Sequence, residues 1–126
     1  MSIAEQKDLL SRVARKIFEE ATTSSLGSTF NVIISFHLRQ KFGRDPYEVL
    51  LDCPKTFNDG LKEVLGEGAE AVIKLVGNYL ILKYNVDYTA EQFVELFKKD
   101  GNSPAQRLAE ILQNIITREE QRLKAT

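Results

Sequence analysis

The chain has 126 residues, of which 43% are hydrophobic, and this is enough for one domain with its own core. Its 17 Lys and Arg residues nearly balance 18 Asp and Glu residues, so the net charge of −1 creates no broad field that would attract nucleic acid or anionic lipid. A single cysteine excludes an internal disulfide, and one cysteine with one histidine excludes a His/Cys zinc site built within one chain.

The N-terminal residues and the most apolar segment both argue against a membrane or secretory role. Glu5, Lys7 and Asp8 fall where a secretory signal needs an uninterrupted apolar stretch. The most apolar window, residues 72–82, contains polar residues and is far shorter than the roughly 20 apolar residues that cross a bilayer. We therefore expect a cytoplasmic protein without membrane contact.

The first predicted helix covers residues 3–21. Ser2 and Glu5 can form a capping box at its start, and its apolar residues recur at three- and four-residue spacing along one face. Residues 22–25 are all Thr or Ser, which prefer turns and caps. We therefore expect the helix to stop there.

A second helix is predicted over residues 26–42. A four-residue apolar period that starts at Phe30 and ends at Phe42 favours a helix, and the glycine after Phe42 suits a C-terminal cap. The β-branched run at residues 32–34 would also suit a strand. We prefer the helix because its period extends over the longer stretch.

Two shorter helices should follow, each with a proline at its first position. Asp45 caps a helix that ends near Asp52, and Cys53 precedes one that ends at Gly66. The proline at the first helical turn fits because its missing N–H has no helical partner there.

The most hydrophobic predicted helix covers residues 69–84. Apolar residues occupy nearly its whole circumference, which is typical of a central helix. Gly77 costs this helix about 1 kcal/mol in propensity, so we expect a neighbouring helix to approach closely there.

The C-terminal part completes the prediction. Thr89 caps a sixth helix that we expect to continue to Gly101, and Ser103 opens the last helix. The expected fold is therefore all-α: a single compact domain over residues 1–126, with six or seven helices around a central apolar helix.

Catalytic chemistry has little support in the sequence. His37 is the only histidine, and Ser35 points about 200° away from it around a helix, so we expect a hydrogen-bonded structural histidine. Cys53 lacks a resolving cysteine and is expected to be a small, half-buried residue. The chain has no Glu-x-x-His motif and no phosphate loop. We expect no enzymatic activity, no metal and no cofactor.

Residues 90–117 have the rhythm of a helix-turn-helix with a glycine in the turn. Asn102 and Arg107 stand where that motif usually has apolar residues, and Glu110 offsets the one base of the would-be reading face. We therefore expect no nucleic-acid binding, and keep a transcription-associated DNA binder as an alternative. A small-molecule sensor with its pocket near Gly77 and Tyr79 is another alternative.

The two terminal helices each carry an aliphatic stripe, and these stripes are the predicted partner-binding surface. Two interpretations remain open: both stripes close the chain's own core, or one of them is shared with a protein partner or a second copy. The predicted partner-binding residues are Leu10, Val13 and Ile17 in the first helix, and Leu108, Leu112, Ile115, Ile116 and Leu123 in the last.

Four short structural motifs stand in the middle of the chain: Ser25-Leu26-Gly27, Lys41-Phe42-Gly43, Pro54 with Phe57 and Leu61, and Gly66-Glu67-Gly68-Ala69. With these motifs, roughly residues 17–86 resemble a family of small archaeal helical domains named for the Nitrososphaera output domain. The resemblance implies an output or accessory module in archaeal signalling, without catalytic residues. The expected function is a non-enzymatic regulatory or adaptor module that acts through protein–protein contacts as a homodimer.

Overall fold

The computed structural model describes residues 2–125, and most of these residues are helical. Helix accounts for 85% of the described residues, which include no strand, so the all-α prediction is confirmed. The seven helices in this part of the chain are α1 (Ile3–Leu26), α2 (Ser28–Phe42), α3 (Pro46–Asp52), α4 (Pro54–Leu65), α5 (Gly68–Tyr84), α6 (Ala90–Leu96) and α7 (Ser103–Ala125).

The core is built around α5, as expected. Ile73, Val76 and Leu80 on this helix are buried, and α5 packs against α1, α4 and α6. One part of the prediction needs correction, because α5 is not enclosed on every side: Leu82 is 86% exposed. The helix is central in position, and its last turns reach the surface.

A group of aromatic rings joins α1, α3, α4 and α6 within this core. The ring of Phe18 meets those of Tyr47 and Phe57 edge to face, with centroids 5.6 Å apart in both pairs. Phe57 also contacts Phe97, just after α6, with centroids 6.4 Å apart. Such pairs add about 0.5–1.5 kcal/mol to the burial of the rings themselves.

The prediction that the first helix stops at residue 21 is wrong, because α1 continues to Leu26. The hydroxyl of Thr22 donates to the carbonyl of Phe18 at 2.7 Å, and that of Ser24 donates to the carbonyl of Ala21 at 3.1 Å. These hydroxyls bond back along the helix instead of capping it. The helix ends at Gly27, whose φ of 88° is open to glycine and strained for other residues, and α2 begins one residue later.

The sixth helix is also shorter than predicted, ending at Leu96 instead of continuing to Gly101. The N–H of Phe97 bonds to the carbonyl of Val94 at 2.9 Å, a tighter turn than the α-helix makes. The carbonyl of Phe97 accepts a hydrogen bond from Asn58 Nδ2 at 3.1 Å. Helix α6 ends here because the Phe97 carbonyl bonds to α4 and the Phe97 ring is buried in the core.

The close approach predicted at Gly77 is confirmed. A Cβ added to this glycine would lie 3.1 Å from the ring and 3.2 Å from the Cβ of Phe93, on α6. Phe93 is itself buried and stacks on Tyr88 with ring centroids 5.8 Å apart. Because Gly77 has no side chain, Phe93 of α6 can pack directly against the backbone of α5 at this point.

Candidate interaction surface

The structure turns most of the predicted partner-binding stripe of the terminal helices inward. Ile17 on α1 and Leu108, Leu112 and Ile115 on α7 are buried in the chain's own core. Helix α7 packs against α1, α3 and α6, which accounts for this burial. These four side chains therefore match the interpretation in which the stripes close the core.

The other four predicted residues are less enclosed. Leu10 and Val13 are partly buried and pack against the core from α1, and Ile116 is partly buried on α7. Leu123 is 69% exposed near the end of α7. A partner contact at Ile116 and Leu123 stays a prediction.

A different helix, α2, exposes a continuous apolar face. Val32 is 70% exposed, Ile33 is 48% exposed and Phe36 is 58% exposed. Leu26, the last residue of α1, is also 49% exposed. With about 100° of rotation per residue, Val32, Ile33 and Phe36 fall within about 100° of one another around the helix. We name these three residues the α2 outer face.

The position of α2 in the fold explains why its outer face is uncovered. Helix α2 contacts α1, α3 and α4, and these all lie on the side of Ile34 and Leu38, which are buried. Phe30 and Phe42, the ends of the predicted apolar period, are partly buried on that side too. The remaining large apolar side chains of α2 lie outside this packed side and are exposed, and such a patch is typical of an interaction site.

A groove of about 520 Å³ runs beside the α2 outer face, between α2 and α1. Asn31 crosses its floor: its Nδ2 donates to the carbonyl of Glu19 at 3.2 Å and to the hydroxyl of Thr23 at 3.2 Å. Val32 and Phe36 line the groove on the α2 side. The floor is thus held by polar bonds, while one wall is apolar.

Two opposite charges flank this groove. Glu19 lines it from α1, and Arg39 lines it from α2. The ion pairs nearby use other residues, Lys16 with Glu20 and Lys41 with Glu63. Within residues 2–125, neither Glu19 nor Arg39 has an ion-pair partner, so both charges remain available to a second molecule.

The expectation for His37 is wrong, because this side chain is exposed and forms no hydrogen bond within the described residues. Its imidazole lies edge to face with the ring of Phe36, with centroids 5.7 Å apart. His37 therefore borders the α2 outer face. The sequence indicated a structural histidine because its neighbours in the chain are mostly apolar, but Phe36 beside it is exposed as well.

Cys53 is half-buried, as expected, and occupies the position just before α4. In the described part of the chain, its side chain makes no hydrogen bond that caps the helix. Within the described residues, no group of three or more His, Cys, Asp and Glu side chains is placed to hold a metal ion.

The space around Gly77 and Tyr79, the predicted ligand pocket, is occupied by the chain itself. Phe93 fills the side of Gly77, and the hydroxyl of Tyr79 donates to the carboxylate of Glu20. Lys83 Nζ donates to the same carboxylate at 3.0 Å. The hydrogen bond from Tyr79 is the main reason that the pKa of Glu20 lies below its ordinary value of 4.5, and burial is the main reason that the pKa of Tyr79 is raised.

A larger cavity, of about 710 Å³, lies instead where α4, α5 and α6 meet. Ile73 and Val94 give it apolar walls, and Lys62 and Glu67 stand at its polar parts. Asn58, which is 3% exposed, also lines it, and the Oδ1 of this side chain has no hydrogen-bond partner among the described residues. Buried polar atoms are usually paired, so this one marks the cavity as a candidate ligand site.

The helix-turn-helix-like segment is built from a seven-residue α6, a turn and α7. The side chains of Gln106 and Arg107 are exposed, as a reading face would require. However, Arg107 lies 3.4 Å from Glu110, and Lys98 is paired with Glu70, so two of the bases in this region already have acidic partners. DNA recognition through residues 90–117 remains a prediction.

Comparison with protein-family models, with curated proteins and with solved structures finds no match for this chain. The resemblance to the Nitrososphaera output domain therefore stays a prediction. Among residues 2–125, none of the helices has the length and apolarity that crossing a membrane demands.

Proposed function

We propose that this chain is a non-enzymatic regulatory or adaptor module of an archaeal signalling system, and that it acts in the cytoplasm through protein–protein contacts. The observation that supports this proposal is the α2 outer face, where three large apolar side chains are uncovered beside a groove. Binding would remove these side chains from water, at about 25 cal/mol for each Å² of apolar surface covered.

The chemistry of the surface favours a protein partner over other occupants. Helix α2 carries Arg39 and Lys41 as its only formal charges, and Lys41 is already paired with Glu63. One available base is too few for the row of phosphate contacts on which nucleic-acid binding depends. An apolar helix face beside a groove is a common way for one protein to recognise another.

The test is a photo-crosslinking experiment in cells of the native source. Phe36 is replaced with the photoreactive residue p-benzoylphenylalanine, which resembles it in size and character, and a matched chain carries the same residue at Leu82. Both positions are exposed, but Leu82 lies on α5, a different helix from the α2 outer face. We expect a discrete protein adduct at position 36, identified by mass spectrometry, and little or none at position 82.

A further variant makes this test specific. The adduct at position 36 should disappear when Ile33→Glu is introduced into the same chain, because a carboxylate in the middle of the α2 outer face would have to be buried on docking. Equal labelling at positions 36 and 82, or labelling that Ile33→Glu does not reduce, would overturn the proposal.

The cavity between α4, α5 and α6 supports a second candidate function, a small-molecule sensor. Its specific observation is the buried Oδ1 of Asn58 without a partner, in a cavity with apolar walls. A thermal-shift screen of small organic acids that also carry a hydroxyl or amino group, which can donate to Asn58 Oδ1, should find a compound that raises the melting temperature. Lys62→Ala should abolish that effect, while Lys124→Ala preserves it. A screen without any stabilising compound would remove this candidate.

A further inference from the structure

We infer that the partner of the α2 outer face is a second copy of this chain, packed so that the two α2 helices run antiparallel about a two-fold axis. This inference rests on the proposed function, since it names the occupant of the same surface. A contact of this kind uses one patch twice, so the patch must complement itself in both shape and charge.

The apolar part of the patch meets this condition. The exposed positions Thr29, Ile33, Phe36 and Gln40 are separated by four, three and four residues, the spacing with which two helices bury a common seam. Val32 broadens the seam on the side of the groove. None of these five residues carries a charge, so pairing the faces buries no ion.

The charges fit an antiparallel arrangement in particular. Asn31 bonds to the carbonyl of Glu19, so Glu19 is level with residue 31 of α2. Arg39 lies eight residues further along, about 12 Å at 1.5 Å per residue. A two-fold axis midway between these levels, at residue 35, brings Arg39 of each copy level with Glu19 of the other. The same axis places the two Phe36 rings beside each other.

Parallel packing of the two helices would not have this result. It would place the Arg39 side chains of the two copies at the same level but on opposite sides of the seam, so neither Arg39 nor Glu19 would gain an ion-pair partner. Because neither Glu19 nor Arg39 has an ion-pair partner within the described residues, the antiparallel dimer supplies one for both. The opposite charges thus select the direction, while the apolar seam supplies most of the affinity.

The size of α2 sets the expected strength. A helix of 15 residues is about 22 Å long, and a contact between two such helices falls at the small end of specific interfaces. We therefore expect a dissociation constant of about 10–100 μM. Sedimentation equilibrium from about 5 to 500 μM would show a monomer–dimer equilibrium in this range.

Substitutions in the seam should weaken the dimer strongly. We expect Phe36→Glu to raise the dissociation constant by roughly 30-fold or more, since central aromatic residues usually dominate interfaces. Ile33→Glu is a second variant with the same expected effect, and Leu82→Glu is the control with none. All three positions are exposed, and circular dichroism checks that each variant keeps its helix content. A dimer that persists in both seam variants overturns the assignment of this face.

A charge swap tests the pairing of Glu19 with Arg39. Each single reversal, Glu19→Arg and Arg39→Glu, should weaken the dimer by roughly fivefold, because two exposed ion pairs per dimer become repulsive contacts. The double variant should recover the original affinity to within about twofold. If the loss of binding free energy in the double variant equals the sum of the losses in the two single variants, the two residues do not face each other.

Disulfide trapping tests the direction of the helices, with Cys53→Ser as the background for both variants. Thr29→Cys and Gln40→Cys lie about equally far from residue 35 on opposite sides, so only an antiparallel dimer brings one against the other. Mild oxidation of a mixture should give the mixed disulfide, because bridging needs Cα atoms within about 7 Å. Neither variant alone should cross-link; a Thr29→Cys homodimer overturns the antiparallel arrangement.

These results are distinguishable from a failure of the proposed function. A chain that stays monomeric at about 500 μM overturns the self-association inference. In that case an adduct to a different protein at position 36 still supports docking through the α2 outer face. The absence of any adduct, together with a monomeric chain, overturns both.

Discussion

Helices α2 and α5 are both rich in large apolar residues, yet their surroundings differ. Helix α5 is packed between α1, α4 and α6, and Ile73, Val76 and Leu80 on it are buried. Helix α2 has neighbours on one side only, and three large apolar residues on its other side are exposed. Apolar content on its own therefore does not distinguish a core helix from one that presents an interaction surface. Whether an apolar face is buried or exposed depends on whether the fold places another helix against it.

The largest expected effect comes from the same substitution made in each helix. Ile73→Ala on α5 should lower the free energy of unfolding by about 3–4 kcal/mol, because Ile73 is completely buried and the change leaves a cavity. Ile33→Ala on α2 should lower it by less than about 1 kcal/mol, since that side chain is half-exposed. Urea unfolding at about 1 μM protein, where self-association contributes little, measures both. Similar losses for the two variants would remove the contrast between the helices.

A substitution at the contact between α5 and α6 should have a smaller effect. Gly77→Ala improves helix propensity by about 1 kcal/mol, but its new Cβ would press on Phe93, which is fully enclosed. We expect a net loss of about 1 kcal/mol. Asn78→Ala, on the exposed side of the same turn, should instead gain up to about 0.5 kcal/mol. If Gly77→Ala were stabilising, α6 would not be held as closely to α5 as described.

The smallest expected effect is on the ion cluster that joins α1 to α5. Glu20→Gln should cost less than about 1 kcal/mol at pH 7, because the carboxylate is partly exposed and its interactions are screened. The pKa of Glu20 is lower in the folded chain than its ordinary value of 4.5, so its contribution is present above that pH and is lost as the pH falls. The unfolding free energies of wild type and variant, measured against pH, should therefore converge in acid. Curves that stay parallel would contradict the role of Tyr79 and Lys83.

The sequence was enough to predict the type and order of the helices. Ser2, Asp45 and Thr89 each cap a helix through their side chains in the structure, as their positions indicate. Proline at the first turn marked the starts of α3 and α4. These signals act within a few residues of the chain, and local signals of this kind can be read without knowing the fold.

Helix ends were harder to predict where a residue has two local options. Thr22 and Ser24 can cap a helix or bond back to an earlier carbonyl within it, and both do the latter. At the end of α6, the turn at Phe97 depends on Asn58, which is 39 residues away in the sequence. No pattern near Phe97 contains that information.

The interaction surface could not be predicted because α2 is apolar on two opposite sides. The period through Ile34 and Leu38 correctly indicated the buried side. The same helix also carries Val32, Ile33 and Phe36, and the sequence did not indicate that these three side chains would be exposed among the described residues. Conversely, the stripes on α1 and α7 resemble a surface for a partner, but Ile17, Leu108, Leu112 and Ile115 in them are buried in the chain's own core. Which stripe finds a neighbour depends on the positions of helices that are distant in the sequence.

The single glycine between α1 and α2 has a consequence for protein engineering. Because only Gly27 separates the two helices, the rotation of α2 about its own axis is set by this short joint and by the packing of Ile34 and Leu38. Neither depends on the side chains that α2 presents to solvent. New recognition sequences could therefore be written onto those outward positions while the scaffold beneath keeps its shape, which makes this helix a template for redesigned specificity.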